Sequence, residues 1–125
     1  MFFFWRKAKP LGQEGEDLAA KALKHDGYTI LERNAYLGRY EIDIIAREGD
    51  TVAFVEVKTR RREDIASPEA NITSVKQSHL LRAARIYTSR AEDSEAYYRF
   101  DVVSILLPEK GRPRITIFRD AFRDD

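Results

Sequence analysis

The sequence predicts an α/β fold in which helices pack on a mixed β-sheet, and three observations predict it. Runs of β-branched and apolar residues mark strands at 28–34, 39–48, 51–60, 99–107 and 114–118. Helical periodicity marks 12–26 and 74–90. The second helix lies between strands and can act as a parallel crossover, whereas a two-residue turn joins the hairpin before it and makes that pair antiparallel.

Each element has its own signals. In Gly12–Asp26, Leu18, Ala19, Ala22 and Leu23 form an apolar stripe, and Gly27 sits where a helix-ending glycine belongs. Tyr28–Asn34 reads as a strand. Arg39–Glu48 and Thr51–Arg60 flank Gly49-Asp50, a loop with glycine first that suits a type II′ hairpin. Arg61–Asn71, with Ser67-Pro68, reads as a loop. In Ser74–Arg90, Ser74 and Gln77 have capping-box spacing, and Val75, His79, Ala83, Ile86 and Tyr87 share a face, which makes His79 a packed residue. Arg99–Leu107 is a strand whose Asp101 is expected to pair with a nearby arginine. Pro108–Pro113 is a turn, and Arg114–Phe118 is the last strand.

A chain of 125 residues is expected to form one domain. Residues 1–11 read as an aromatic and basic arm and residues 12–125 as the domain. The apolar run of "MFFFWRKAKP" is too short to span a bilayer, and its positive charges follow it rather than precede it. No stable membrane insertion is expected, and the arm should pack on the body or on a partner chain. The absence of cysteine excludes disulfides and thiolate zinc sites and fits a reducing compartment, so the cytoplasm is the expected location. Two histidines are too few for an all-histidine metal cage, which leaves hard cations held by oxygen. A net charge of +1 gives no global pull toward nucleic acid, so an anionic partner must be met by a local patch.

The hairpin carries the unusual chemistry. With Gly49 and Asp50 at the turn, Asp43 falls opposite Glu56 and Glu41 opposite Lys58. Period-two alternation then puts these four charges on one face with Ile45 and Phe54, and Ile42, Ile44, Val55 and Val57 on the other. Acids directly opposite each other repel, and partial burial raises the cost. A divalent cation between Asp43 and Glu56 would remove that repulsion, and magnesium or manganese suits such ligands. Alternating charges on a strand otherwise mean a solvated sheet face. Ile45 and Phe54 on the same face weigh against that reading.

The pattern Asp43…Glu56-Val57-Lys58 resembles the PD-(D/E)xK nuclease motif. More widely, "GEDLAAKAL", "EIDIIAREGDTVAFVEVKTR", "VKQSHLLRAA" and "RFDVV" are similar to successive blocks of the YraN-like family, from about Gly12 to Phe122. The resemblance implies a restriction-endonuclease-like three-layer α/β fold, a central mixed β-sheet flanked by helices. It implies magnesium-dependent phosphodiester hydrolysis, with manganese as a substitute and DNA, branched or junction forms included, as the favoured substrate. By resemblance, Asp43 and Glu56 bind metal, Lys58 orients or activates the attacking water, and Glu16 completes the site. The alternative for Glu16 is an ordinary first-turn acid. Glu41 is expected as an outer partner rather than a ligand. Arg60, Arg61, Arg62, Lys76 and Gln77 are candidate phosphate contacts, with Gln77 alternatively a capping residue. Tyr40 departs from the family's usual glycine and either narrows the site or offers a stacking surface. A homodimer is a further implication. The alternatives are a non-catalytic nucleic-acid-binding module and a protein-interaction module docking through the arm.

Overall fold

The structure is a computed structural model that describes residues 11–61, 70–91 and 95–123. The arm up to residue 10, Arg62 and most of the loop after it lie outside the described residues. The elements are α1 (Leu11–His25), β1 (Thr29–Leu37), β2 (Tyr40–Glu48), β3 (Thr51–Arg60), α2 (Ser74–Arg90), β4 (Tyr97–Leu106) and β5 (Arg114–Phe122). The sheet runs in sequence order, β1-β2-β3-β4-β5, antiparallel except for the parallel pair β3–β4, which α2 bridges as the crossover. The predicted three-layer α/β fold with a central mixed sheet is the fold observed.

Each helix covers one face. Ala19, Ala20 and Leu23 of α1 pack on Ile44, Ala46, Ala53, Val55, Val103 and Ile105. Leu80, Ala83 and Ala84 of α2 pack on Ile45, Val52, Phe54 and Val102. The central strands are therefore buried on both sides, which is why their sequences read as near-continuous apolar runs. Helix α1 ends as predicted: Gly27 adopts φ +97°, and Tyr28 N–H donates to Leu23 O at 2.9 Å, closing a Schellman motif. Gly49 at φ +61° heads the hairpin turn. Among the described residues no helix is long and apolar enough to cross a membrane.

Three expectations are corrected. The cap of α2 is Thr73, whose side chain accepts from Lys76 N–H, so Ser74 is already inside the helix. Of the face expected for α2, Ala83, Ile86 and Tyr87 pack on the core, together with Leu80 and Ala84. Val75 and His79, expected on the same face, with His79 expected to be packed, are exposed. Finally, β5 runs past Phe118 to Phe122. Asp120 at φ +55° forms a bulge whose N–H donates to the buried Asp101 carboxylate at 2.9 Å, and pairing resumes at Phe100↔Phe122.

Candidate functional site

Acidic residues converge where β2 and β3 part. The ladder between these strands runs from Glu48↔Thr51 to Ile44↔Val55, in the register expected from the turn. At its end Asp43 Oδ2 accepts the Val57 N–H at 2.9 Å, so a side chain takes the place of a strand carbonyl and the strands diverge.

The alternation of β2 also slips here. Ile42 packs in the α2 layer with Ile45, whereas Ile44 packs beneath α1. The sequence reading put Ile42 and Ile44 on one face. The cause lies on β1: Asn34, between the pairs Arg33↔Ile44 and Ala35↔Ile42, adopts φ +50°. Asparagine tolerates this left-handed conformation better than most residues. Glu41, expected opposite Lys58, lies beyond the last β2–β3 pair and gathers with Glu16 and Asp43. One carboxylate oxygen from each of Glu16, Glu41 and Asp43 lies within 4.8 Å of the others. Asn34, with its amide nitrogen turned to the acids, donates to Glu16 Oε2 and Glu41 Oε1 at 3.1 Å each.

Helix α1 delivers Glu16 because Gly15 lets it touch the sheet. A Cβ at Gly15 would lie 1.9 Å from Thr59 Oγ1 on β3, so any side chain there would hold the helix off.

Glu56 stands outside the trio of Glu16, Glu41 and Asp43 and neighbours Asp43 from the α2 side. Its Oε1 lies 3.5 Å from Lys76 Nζ, and its Oε2 is buried with no hydrogen-bond partner. Burial first, and the Asp43 charge second, push the Glu56 carboxyl up to about 8, with Lys76 opposing. Burial likewise raises Asp43, offset by the Val57 amide and Lys76. Glu16 is raised by burial and by Asp43. An orphaned buried oxygen and mutually destabilised acids fit a hard divalent cation, for which all the donors offered are oxygens.

The remaining candidates are less gathered. Lys58 Nζ donates to Asn71 O at 2.6 Å, and its ammonium is held below the usual lysine range by burial and then by Arg60. Arg60 is half-buried at the end of β3, and Arg61 is exposed. Lys76, nominated for phosphate, faces Glu56. Gln77 Nε2 donates to Ile72 O at 2.9 Å and steadies the entry into α2. The sequence reading missed Asn34 and the Lys76–Glu56 pair. An asparagine inside a strand pattern was the available signal for the first. The second depends on where the crossover helix lands, which no local pattern encodes.

Known proteins resemble this chain along most of its length. A UPF0102 protein of Geotalea uraniireducens is 44% identical over 114 residues, covering 91% of this chain and 90% of its own. One from Caldicellulosiruptor saccharolyticus is 43% identical over 115 residues, covering 91% and 98%. Among solved structures, the Holliday junction resolvase Hjc of Archaeoglobus fulgidus is similar with a TM-score of 0.49 and 18% identity, over 84% of this chain and 75% of that one. Residues 15–105 match the profile of the uncharacterised protein family UPF0102, and the chain belongs to that family.

Proposed function

We propose that the protein is a metal-dependent nuclease that hydrolyses phosphodiester bonds in nucleic acid, with DNA, branched forms included, as the favoured substrate. The observation that carries this reading is the crowding of Glu16, Glu41 and Asp43 beside Glu56, whose Oε2 is buried without a partner. Maintaining such a cluster is costly without a cation, because each carboxylate loses hydration beside another.

In this reading Asp43 and Glu56 would hold magnesium or manganese, and Glu16 and Glu41 crowd Asp43 from the other side. When bound, the cation supplies Lewis-acid polarisation of a phosphate oxygen. The protein's own groups do the rest. Asp43 is fixed by the Val57 amide, so one ligand is set before substrate arrives. Asn34 holds Glu16 and Glu41 in place. Lys58 offers an ammonium to the attacking water or to the charge growing on phosphate. Lys76 neutralises part of the acidic charge while no cation is bound and can turn to phosphate when one is.

Calorimetry with manganese or magnesium, followed by cleavage assays on single-stranded, duplex, flapped and four-way-junction DNA, tests the proposal. The wild type is expected to bind the cation and cut at least one substrate. Asp43→Asn and Glu56→Gln should lose both, with cleavage falling at least about a hundredfold, as expected when a ligand essential for electrostatic stabilisation is removed. Cation binding without cleavage of any substrate would favour the binding-module reading.

A further inference from the structure

Beside the acidic centre, on the α2 side, a second cluster has a composition the acids do not explain. Arg82 Nη1 donates to the Tyr40 hydroxyl at 2.9 Å, and Arg39 Nη2 donates to the same oxygen at 3.3 Å. Both arginines are exposed, and among the described residues neither meets a carboxylate. This is unusual in a chain where 34% of residues are charged and the net charge is only +1. A guanidinium carries five donors, so most of each fork is left for another acceptor. Together the two cations hold the Tyr40 phenol below its usual range, Arg82 contributing most.

The flat groups are also gathered. The Tyr40 and His79 rings lie 5.2 Å apart with a 40° tilt, and the Arg39 guanidinium lies 5.4 Å over the Tyr40 ring. His79 is exposed, so its outer surface is available for continued stacking. Position also matters. Tyr40 directly precedes Glu41 of the acidic cluster. On α2, Lys76 meets Glu56, His79 meets Tyr40 and Arg82 meets the Tyr40 hydroxyl. These three residues are spaced by three, so the track climbs about 9 Å along the helix.

We propose that Arg39, Tyr40, His79 and Arg82 form a cradle for an unpaired nucleotide strand next to the acidic centre, the guanidiniums taking phosphates and the imidazole–phenol pair stacking a base. The proposal deepens the nuclease reading and rests on it for the identity of the ligand. An unpaired strand fits better than a duplex, because paired bases are already stacked and offer these rings no free face, whereas splayed bases stack readily on aromatic groups.

Fluorescence polarisation with a labelled single strand and a blunt duplex of equal length, in EDTA so that nothing is cut, tests the cradle. The wild type should bind the single strand more tightly. The double variant Arg39→Gln/Arg82→Gln should lose at least about tenfold on the single strand and flatten its salt slope by about 1.4, as expected for two phosphates. His79→Ala, at an exposed position that leaves the core intact, should lose roughly fivefold or more on the single strand and less than twofold on the duplex. Tyr40→Leu should behave alike where its melting temperature is preserved.

An unchanged salt slope, or equal losses on both ligands, overturns the cradle. A wild type that cuts nucleic acid while the patch variants bind as it does overturns the cradle alone. A wild type that holds single strands through the patch but cuts nothing with any divalent cation supports the cradle and overturns the nuclease. A wild type that binds neither ligand in EDTA overturns the cradle, and one that also cuts nothing with manganese or magnesium overturns both.

Discussion

Gly15 shows how much of the site depends on one missing atom. Its Cα faces Thr59, and an added Cβ would lie 1.9 Å from Oγ1 and 2.9 Å from Cβ and Cγ2. Rotating the threonine relieves only part of this, because its Cβ is fixed by the strand. Gly15→Ala is therefore expected to destabilise the protein by about 1–3 kcal/mol through overpacking, despite alanine's better helix propensity. The same push moves Glu16 away from Asp43, so cation affinity should fall too. Melting and calorimetry on one sample check both, and a neutral or stabilising alanine would show that α1 does not seat as described. At this scale the sequence was informative where a residue type broke its local pattern. Asp43, Glu56 and Lys58 stood out because strands seldom carry buried charge. Lys76 looked like any helix-surface lysine, and its meeting with Glu56 became visible only with α2 in place.

Elements were legible in number, type and order, and less so in phase and extent. The hairpin register followed from Gly49-Asp50, and it holds along the ladder until Asp43 intervenes. Alternation failed beyond that point because the Asn34 kink belongs to a different strand. The end of β5 was misread for a similar reason: its bulge is held by a side chain 19 positions away. That side chain, Asp101, is fully buried and accepts from Tyr28 Oη at 2.8 Å, from Arg99 Nε at 2.7 Å and from the Asp120 amide. Its expected pairing with an arginine is observed. Asp101→Ala would leave Arg99 with Glu48 as its remaining carboxylate partner and strand the Asp120 amide and the Tyr28 hydroxyl, at a cost of about 2–4 kcal/mol for the two unpaired groups. None of its partners is an acid of the candidate site, so cation affinity should persist below the lowered melting temperature. Chemical denaturation and calorimetry separate the two effects. Loss of cation binding in the folded variant would mean that the β4–β5 bulge also shapes the acidic centre.

Across the whole molecule, two groups of acids respond to pH in opposite directions. Glu48 ties β2 to β5 and β4 through Arg119 at 2.6 Å and Arg99 at 2.9 Å, and Arg119 also reaches Asp26 beyond α1. The Arg119 hydrogen bonds, ahead of the opposing burial, bring the Glu48 carboxyl down to about 2. A depressed acid contributes stability above its unfolded value near 4.5, and that stability is lost as pH falls toward about 2. Glu56 has the reverse sign. Its folded value of about 8 lies above the unfolded one, so between roughly pH 4.5 and 8 the folded protein holds a proton that the unfolded chain has released, and stability falls as pH rises. Asp43, which repels it, shifts the same way, while Lys76 moderates both. In EDTA the melting temperature should therefore decline from about pH 5 to about pH 8. A bound cation replaces the proton, so manganese should raise the melting temperature little at pH 5 and much more at pH 8, with proton release on binding. Glu56→Gln should flatten the decline in EDTA, melt higher than wild type at pH 8 and lose most of the manganese effect. A wild-type melting temperature independent of pH across that window, or a manganese effect equal at both ends, would mean that the crowded carboxylates are not holding a proton in a cation's place. Such an outcome would separate the stability of the fold from the chemistry proposed for it, since the same carboxyl groups would then be ordinary solvated acids.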